Sequence, residues 1–212
     1  MPTEPPHDAD RDRLLKQYGR YRDVLAGIIG ELGDAIGPNR VRTAVRTLGL
    51  PWDLPSLIRT DRLRSALYTY LMFTDRRKGR TLLERMEPQL RHRVERVPGG
   101  VGERVLDALL ASEYRALDIA QVVPHMGVIA RDALTGQNLF VMDSELSRAW
   151  EADIQFGGRV VEMPEFALLA GEPIEMDVQP GEDFRAGSLN THDQGRLEGA
   201  LLQAFAEAVQ EC

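Results

Sequence analysis

The residues in this chain whose spacing could do chemistry are mostly arginines. Arg76, Arg77, Lys78 and Arg80 form a tight cluster, and Arg85, Arg91, Arg93 and Arg96 follow it. A guanidinium presents a planar fork of N–H donors that fits a phosphate, so such a run on one helical face is a candidate nucleic-acid-binding surface. Glu84, Glu87 and Glu95 are interspersed with it, and the same spacing describes a solvated helix laced with intrahelical ion pairs. Aromatic residues, the platforms on which bases stack, make up only 6% of the sequence, which weakens the nucleic-acid reading.

Histidine is the next residue type to ask about. His7, His92, His125 and His192 do not occur at the three-to-five spacing that puts two metal ligands on one helix face. No metal and no cofactor is therefore expected. His125, in Val-Val-Pro-His-Met-Gly, lies beside expected strands, and with Asp143, Ser144 or Glu145 it could form an acid–base or nucleophile pair. The spacing matches no catalytic signature: there is neither a G-x-S-x-G elbow nor an H-E-x-x-H, and Glu162 with Glu165 is an ordinary surface pattern. No residue is assigned as catalytic, and His125 with Asp143 stands as a candidate ligand pocket. Gly99-Gly-Val-Gly102 before an expected helix is a candidate anion-cradling turn. It lacks the Lys-Ser/Thr pair and the preceding strand of a P-loop, so a plain interhelix loop is the preferred explanation.

These residues must be held by elements that the apolar spacing reveals. Leu14, Tyr18, Tyr21, Leu25, Ile28, Leu32 and Ile36 recur every three or four positions, the stripe of a long amphipathic helix that Gly37-Pro38 should end. The same stripe could serve a homodimer as well as a core. Val41, Ala44, Val45 and Leu48 suggest a second helix with Arg40, Arg42 and Arg46 on its polar side. Pro51 and Pro55 mark a loop, longer than the turn of a helix-turn-helix, and Thr60-Asp61 reads as the cap of a helix carrying Leu63, Leu67, Tyr70 and Leu71. Residues 81–96 read as helix divided near Pro88, and residues 103–114 as a further helix. Near Asp118 the spacing turns to short β-branched runs, with one strand over 122–133, a hairpin turn at Thr135-Gly136, a buried strand at Phe140-Val141-Met142, and further strands around 159–163 and 166–170. Leu197, Leu201, Leu202, Phe205 and Val209 make the stripe of a C-terminal helix.

The expected organisation is thus a disordered tail at 1–10, a helical region at 11–117, a β-module at 118–178, and a loop with a C-terminal helix at 179–212. The fold class is α+β, with the β-module a small antiparallel barrel or curved sheet. The net charge of −7 is unevenly spread: residues 11–110 hold 20 Lys or Arg against 12 Asp or Glu, and residues 111–212 hold 6 against 18. Such halves either attract each other or present a basic surface to an acidic partner. Cys212 is the one cysteine, which argues for a reducing, cytoplasmic setting. No apolar run approaches the roughly 20 residues that span a bilayer, so no membrane partner is expected.

Asp132-Ala-Leu-Thr-Gly-Gln-Asn-Leu-Phe-Val-Met-Asp143, Leu146-Ser147, Gly158-Arg159-Val160-Val161 and Gly171 together resemble a module of uncharacterised bacterial proteins, some of which carry a C-terminal SEC-C zinc motif. The resemblance extends upstream through 43–50 and 61–83. It implies a β-module behind a helical region, without an established activity. The cysteine cluster of the zinc-bearing members is absent, and Cys212 alone cannot supply the four ligands of a structural zinc. The function expected from all of this is a non-catalytic binding or adaptor protein with a protein partner. The alternatives are a nucleic-acid-binding protein using the basic face, and an enzyme or small-ligand binder using a pocket near His125.

Overall fold

The computed structural model describes residues 8–50, 61–175, 198–200 and 202. The expected loop at 52–59 with its cap at Thr60, the tail residues 1–7 and most of the 179–212 segment lie outside them. Among the described residues the helical region consists of α1 (Asp8–Asp34), α2 (Pro38–Thr47), α3 (Asp61–Phe73), α4 (Leu82–Val94) and α5 (Val101–Leu110), the last preceded by a short 3-10 turn, Pro98–Gly100. Helix α1 begins inside the segment expected as a tail and ends just before Gly37-Pro38. Its apolar stripe is spent within the chain: Leu14, Tyr21, Leu25, Ile28, Leu32 and Ile36 are all buried, with Tyr18 packed at the edge.

Pro88 does not divide α4. A proline removes the N–H that would bond the carbonyl four residues earlier, here that of Glu84. The Arg80 guanidinium donates to that carbonyl instead, and the Thr81–Glu84 capping box fixes the first turn. The helix therefore continues to Val94.

The helices end at Leu110, and strand β1 (Glu113–Val123) starts earlier than the change of pattern near Asp118 suggested. Tyr114, Ala116 and Leu117 are buried strand residues rather than a helical face. The expected strand over 122–133 is two strands. Pro124, His125 and Met126 turn the chain, His125 with φ 62, between β1 and β2 (Gly127–Asp132). Strand β3 (Asn138–Met142) follows the turn at Thr135-Gly136, where buried Asp132 accepts from the Leu134 and Thr135 N–H groups at 2.9 and 3.0 Å. A helical turn, α6 (Leu146–Ala149), leads to β4 (Gln155–Glu162), then β5 (Ala167–Leu169) and β6 (Ile174–Glu175).

The sheet closes on itself. β1 bends at a register shift between Ile119 and Gln121, pairing its first half with β4 and its second with β2. β2 pairs with β3 and β4 with β5, all antiparallel, and β3 completes the ring by pairing with β5 in parallel. The β-module is therefore a mixed, not wholly antiparallel, five-stranded barrel, with β6 added beside β4. A closed ring of five strands cannot alternate throughout, and the order 1-2-3-4-5 would place its one parallel pair between β5 and β1. The crossover through α6 instead puts β4 against β1 and returns β5 to β3.

Two apolar clusters result. Leu117, Ile119, Val128, Val141, Trp150 and Phe156 fill the barrel. Alternate residues of the same strands, Ile129, Phe140, Met142 and Leu168, point outward and join the core of the helical bundle. Tyr18 and Tyr21 of α1 meet Phe166, with ring centroids 6.2 and 5.8 Å apart. The loop after β5 approaches α3 so closely that a Cβ on Gly171 would stand 2.0 Å from the Thr69 hydroxyl oxygen, and φ there is +98°. Only glycine fits this contact. Residues 198–200 and 202 are helical, and Glu198 and Leu202 are buried.

Candidate functional site

Helices and barrel meet around one arginine. Arg159 extends from the outer face of β4, directly across from Tyr114 of β1, and is only 7% exposed. Its guanidinium donates to the Ser112 carbonyl at 2.9 Å and to the Thr74 hydroxyl at 3.1 Å. It also pairs with the Glu198 carboxylate at 3.3 Å and lies 5.0 Å from the centre of the Phe73 ring. One side chain thus ties the barrel to the end of α3, the α5–β1 link and the helical residues at 198. Thr74 donates to the same Glu198 oxygen.

The electrostatics here are poised rather than saturated. Burial pushes the Glu198 carboxyl above its ordinary range, against the opposing pull of Arg159 and the Thr74 hydroxyl. Burial likewise pushes the Tyr114 phenol well up, with Glu198 adding to it. The Tyr114 hydroxyl, Arg159 Nε and Glu198 Oε1 are buried without hydrogen-bond partners among the described residues, a state that few buried polar atoms in folded proteins share.

Arg159 forms part of the wall of a cavity of about 170 Å³, together with Phe73, Thr74, Arg76, Thr81 and Ser112. Leu83 and Leu110 supply apolar surface, and Glu84 is the carboxylate on its lining. The hydroxyls are engaged locally: Thr74 with Glu198, Thr81 in the cap of α4, and Ser112 with the Leu109 carbonyl at 2.6 Å.

The basic residues singled out in the sequence fall in several places. Arg76, Arg77, Lys78 and Arg80 are exposed on a tight turn, closed by a bridge between Arg77 and Arg80, that enters α4. Arg76 pairs with Glu84 at 3.5 Å and Arg77 with Asp75 at 3.7 Å. On α4, Arg91 pairs with Glu87 and with Asp107 of α5, both at 2.9 Å, and Arg93 pairs with Glu31 of α1. Arg96 contacts the His92 ring at 3.2 Å. Two of this set, Arg91 and Arg93, therefore tie α4 to its neighbours through Asp107 of α5 and Glu31 of α1, while Arg76 and Arg77 are paired within the turn and its adjoining helix.

His125 is exposed at the tip of the β1–β2 turn. Asp143, after β3, accepts from the Glu145 and Leu146 N–H groups at 2.8 and 3.2 Å and so starts α6. Its charge, after burial, helps raise the Tyr18 phenol to about 12. Neither residue lines the junction cavity.

Sequence reasoning missed Arg159 and Arg40. Arg40 was expected on the polar side of α2, yet it is 6% exposed. It donates to the Leu71 carbonyl at 2.6 Å and pairs with Asp75 at 2.8 Å, tying α2 to the end of α3. The usable signal for Arg159 was a lone arginine between Gly157-Gly158 and Val160-Val161, since a cation inside an apolar strand needs a buried partner.

The ring order 1-2-3-5-4-1, with β3 and β5 parallel and a helical turn between β3 and β4, defines an α+β protein built on an OB-type barrel. OB barrels commonly bind across strands 2 and 3. Here the outward residues of those strands are buried under the protein's own helices. The chain belongs to a family of unknown function (DUF7986), whose model matches residues 12–176. No curated protein and no solved structure matches. Among the described residues no helix is long and apolar enough to cross a membrane, and no group of three or more His, Cys, Asp or Glu is placed to hold a metal.

Proposed function

We propose that the chain is a non-catalytic binding or adaptor protein whose recognition site is the cavity between helices and barrel, and that its ligand is a small molecule bearing a carboxylate. The observation that carries this reading is Arg159. It lines the cavity, it is buried, and its Nε has no partner among the described residues. Arg76 adds a second guanidinium to the lining, and a paired fork of this kind suits a carboxylate. The volume of about 170 Å³ is below the roughly 300–1,000 Å³ of drug-sized sites, which favours a compact ligand. The hydroxyls on the lining are bonded to carbonyl, carboxylate or backbone N–H groups, which supports binding rather than nucleophilic chemistry.

The test is native mass spectrometry of protein captured from a lysate of its own host. A small bound mass should appear in the wild-type protein and vanish in Leu110→Trp, which fills the cavity, while the Tm stays within a few degrees. Absence of bound mass, with no thermal shift from a panel of small carboxylic acids, would sink the ligand reading. A stoichiometric protein in the same eluate would support the adaptor role.

A second reading rests on the exposed turn of Arg76, Arg77, Lys78 and Arg80. These side chains would contact nucleic-acid phosphates, with Arg91 and Arg93 behind them on α4 and Arg96 just past its end. Binding to single-stranded RNA should then weaken steeply as salt rises and disappear when Arg76, Arg77 and Lys78 are all replaced by Glu. Unchanged binding by that triple variant would remove this face from consideration.

A further inference from the structure

A second concavity lies at the opposite end of α5, where the N-terminal half of α1 meets the start of that helix. It has a volume of about 340 Å³ and is lined by Arg13, Lys16, Gln17, Arg20, Tyr21 and Arg104, with Val101 beneath. Three of the α1 cations lie on one stripe, since Arg13 and Lys16 are three residues apart and Lys16 and Arg20 four apart. Neighbours at these spacings share a helix face, and like charges there repel. Arg104 approaches from α5 and adds a fourth positive charge to the same groove.

The groove is not neutralised from within. Arg13 has Asp10 at 3.2 Å, an exposed pair. Lys16, Arg20 and Arg104 make no ion pair with a carboxylate among the described residues. Glu103 borders the turn, its Oε2 4.0 Å from where a Cβ on Gly100 would stand. Two guanidiniums converge on Gly99: Arg104 donates to its carbonyl at 3.1 Å, and Arg20 Nη2 lies 3.7 Å from the position of a Cβ there. Gln17 donates to the Tyr21 hydroxyl at 2.9 Å, which adds a polar edge.

The glycines beside the groove have structural explanations of their own. Gly99 and Gly100 take φ of 75° and 63° in the turn, and a Cβ on Gly102 would come within 2.4 Å of the Val94 carbonyl oxygen. The turn is therefore not the binding element; the cations are. Four exposed positive side chains lining one open groove, in a protein whose net charge is −7, describe a local field suited to a small polyanion. Within a Debye length of about 8 Å such a ligand feels the groove, whereas a long polyanion also meets the acidic remainder of the surface.

We propose that this groove binds a free oligophosphate, of the kind carried by a nucleoside polyphosphate, with Lys16, Arg20 and Arg104 as its principal contacts and Arg13 joining them by exchanging Asp10 for phosphate. The site is independent of the junction cavity.

Calorimetric titration of the full chain with inorganic tripolyphosphate, with a nucleoside triphosphate and with a single-stranded RNA oligonucleotide tests it. Saturable one-to-one binding of tripolyphosphate and of the triphosphate is expected, weakening as salt rises. Replacing Lys16 or Arg104 by Glu should weaken each by about tenfold or more, the scale of one lost charge-assisted contact to phosphate. Arg46→Glu, an exposed charge reversal on α2, should leave both unchanged. Three results would overturn the assignment: no saturable binding of either oligophosphate, equal affinities in the wild-type and reversed proteins, or RNA bound more tightly than the triphosphate through the same residues. The last would reassign the groove to a nucleic-acid backbone.

Discussion

The two arginine-bearing cavities of this protein are built on opposite electrostatic plans. At the junction, Arg159 and Arg76 each have a carboxylate, Glu198 and Glu84, supplied by other parts of the chain. In the groove between α1 and α5, Lys16, Arg20 and Arg104 face one another with no carboxylate contact among the described residues. The same residue type sits beside the chain's own carboxylates in one place and leaves a net field in the other. The difference lies in where the fold delivers Asp and Glu, which no local count of charges reveals.

The sharpest way to break this comparison is at Arg159. Arg159→Ala leaves the Glu198 carboxyl buried beside Thr74 without its counter-charge, and loss of one partner of a buried pair costs about 3–5 kcal/mol. Urea unfolding should report a loss of that size, and Arg159→Lys, which keeps the charge but not the fork, should lose less. A change within about 0.5 kcal/mol, typical of surface substitutions, would mean that the junction is solvated and the contrast false.

A smaller, pH-dependent effect should come from Glu198. Its carboxyl is raised above the ordinary value of 4.5 because burial outweighs Arg159 and Thr74. The folded state then keeps a proton that the unfolded chain has already released. The stability contributed by this group is therefore fully present below the unfolded value and falls as pH rises through the raised folded one. Relative to Glu198→Gln, the wild-type protein should lose stability across that window in urea melts. A difference between the two that stays flat, or grows with pH, would show that the ion pair dominates burial.

The smallest effect belongs to the groove. Lys16→Glu replaces repulsion with attraction toward Arg13 and Arg20, and a gain of about 0.3 kcal/mol follows from the usual worth of such helical pairs. A slightly raised Tm, accompanied by loss of oligophosphate binding, would separate stability from recognition at one residue. A lowered Tm would mean that Lys16 already has a structural partner.

Much of the architecture was legible in the sequence. The stripe from Leu14 to Ile36 is the buried face of α1, and the run of Phe140, Val141 and Met142 reads as a strand covered on both sides because it is one: Val141 points into the barrel while Phe140 and Met142 point into the helices. The α+β order of helices followed by a small barrel also holds. The closure was not legible, because the parallel pairing of β3 with β5 depends on a crossover through α6, and strand patterns carry no record of which neighbour they choose. The break at Pro88 failed for a reason outside local propensity, since the orphaned Glu84 carbonyl is satisfied by Arg80. The junction was hidden because its members, Thr74, Tyr114, Arg159 and Glu198, come from four separate stretches of chain. None of them looks unusual until folding removes the water around it.

The outward face of β2 and β3 has a temporal consequence. Residues 8–110 leave the ribosome before any strand exists, carrying Tyr18, Tyr21 and the rest of a stripe that is completed by Phe140, Met142 and Phe166. Domains commonly fold as they emerge, but this bundle cannot close its core until the fifth strand has been made. The nascent helices are then expected to carry an exposed apolar surface until the barrel covers it. Slower translation across the barrel is therefore expected to lower the soluble, folded fraction, which synonymous slow-codon variants would reveal on fractionation of the lysate.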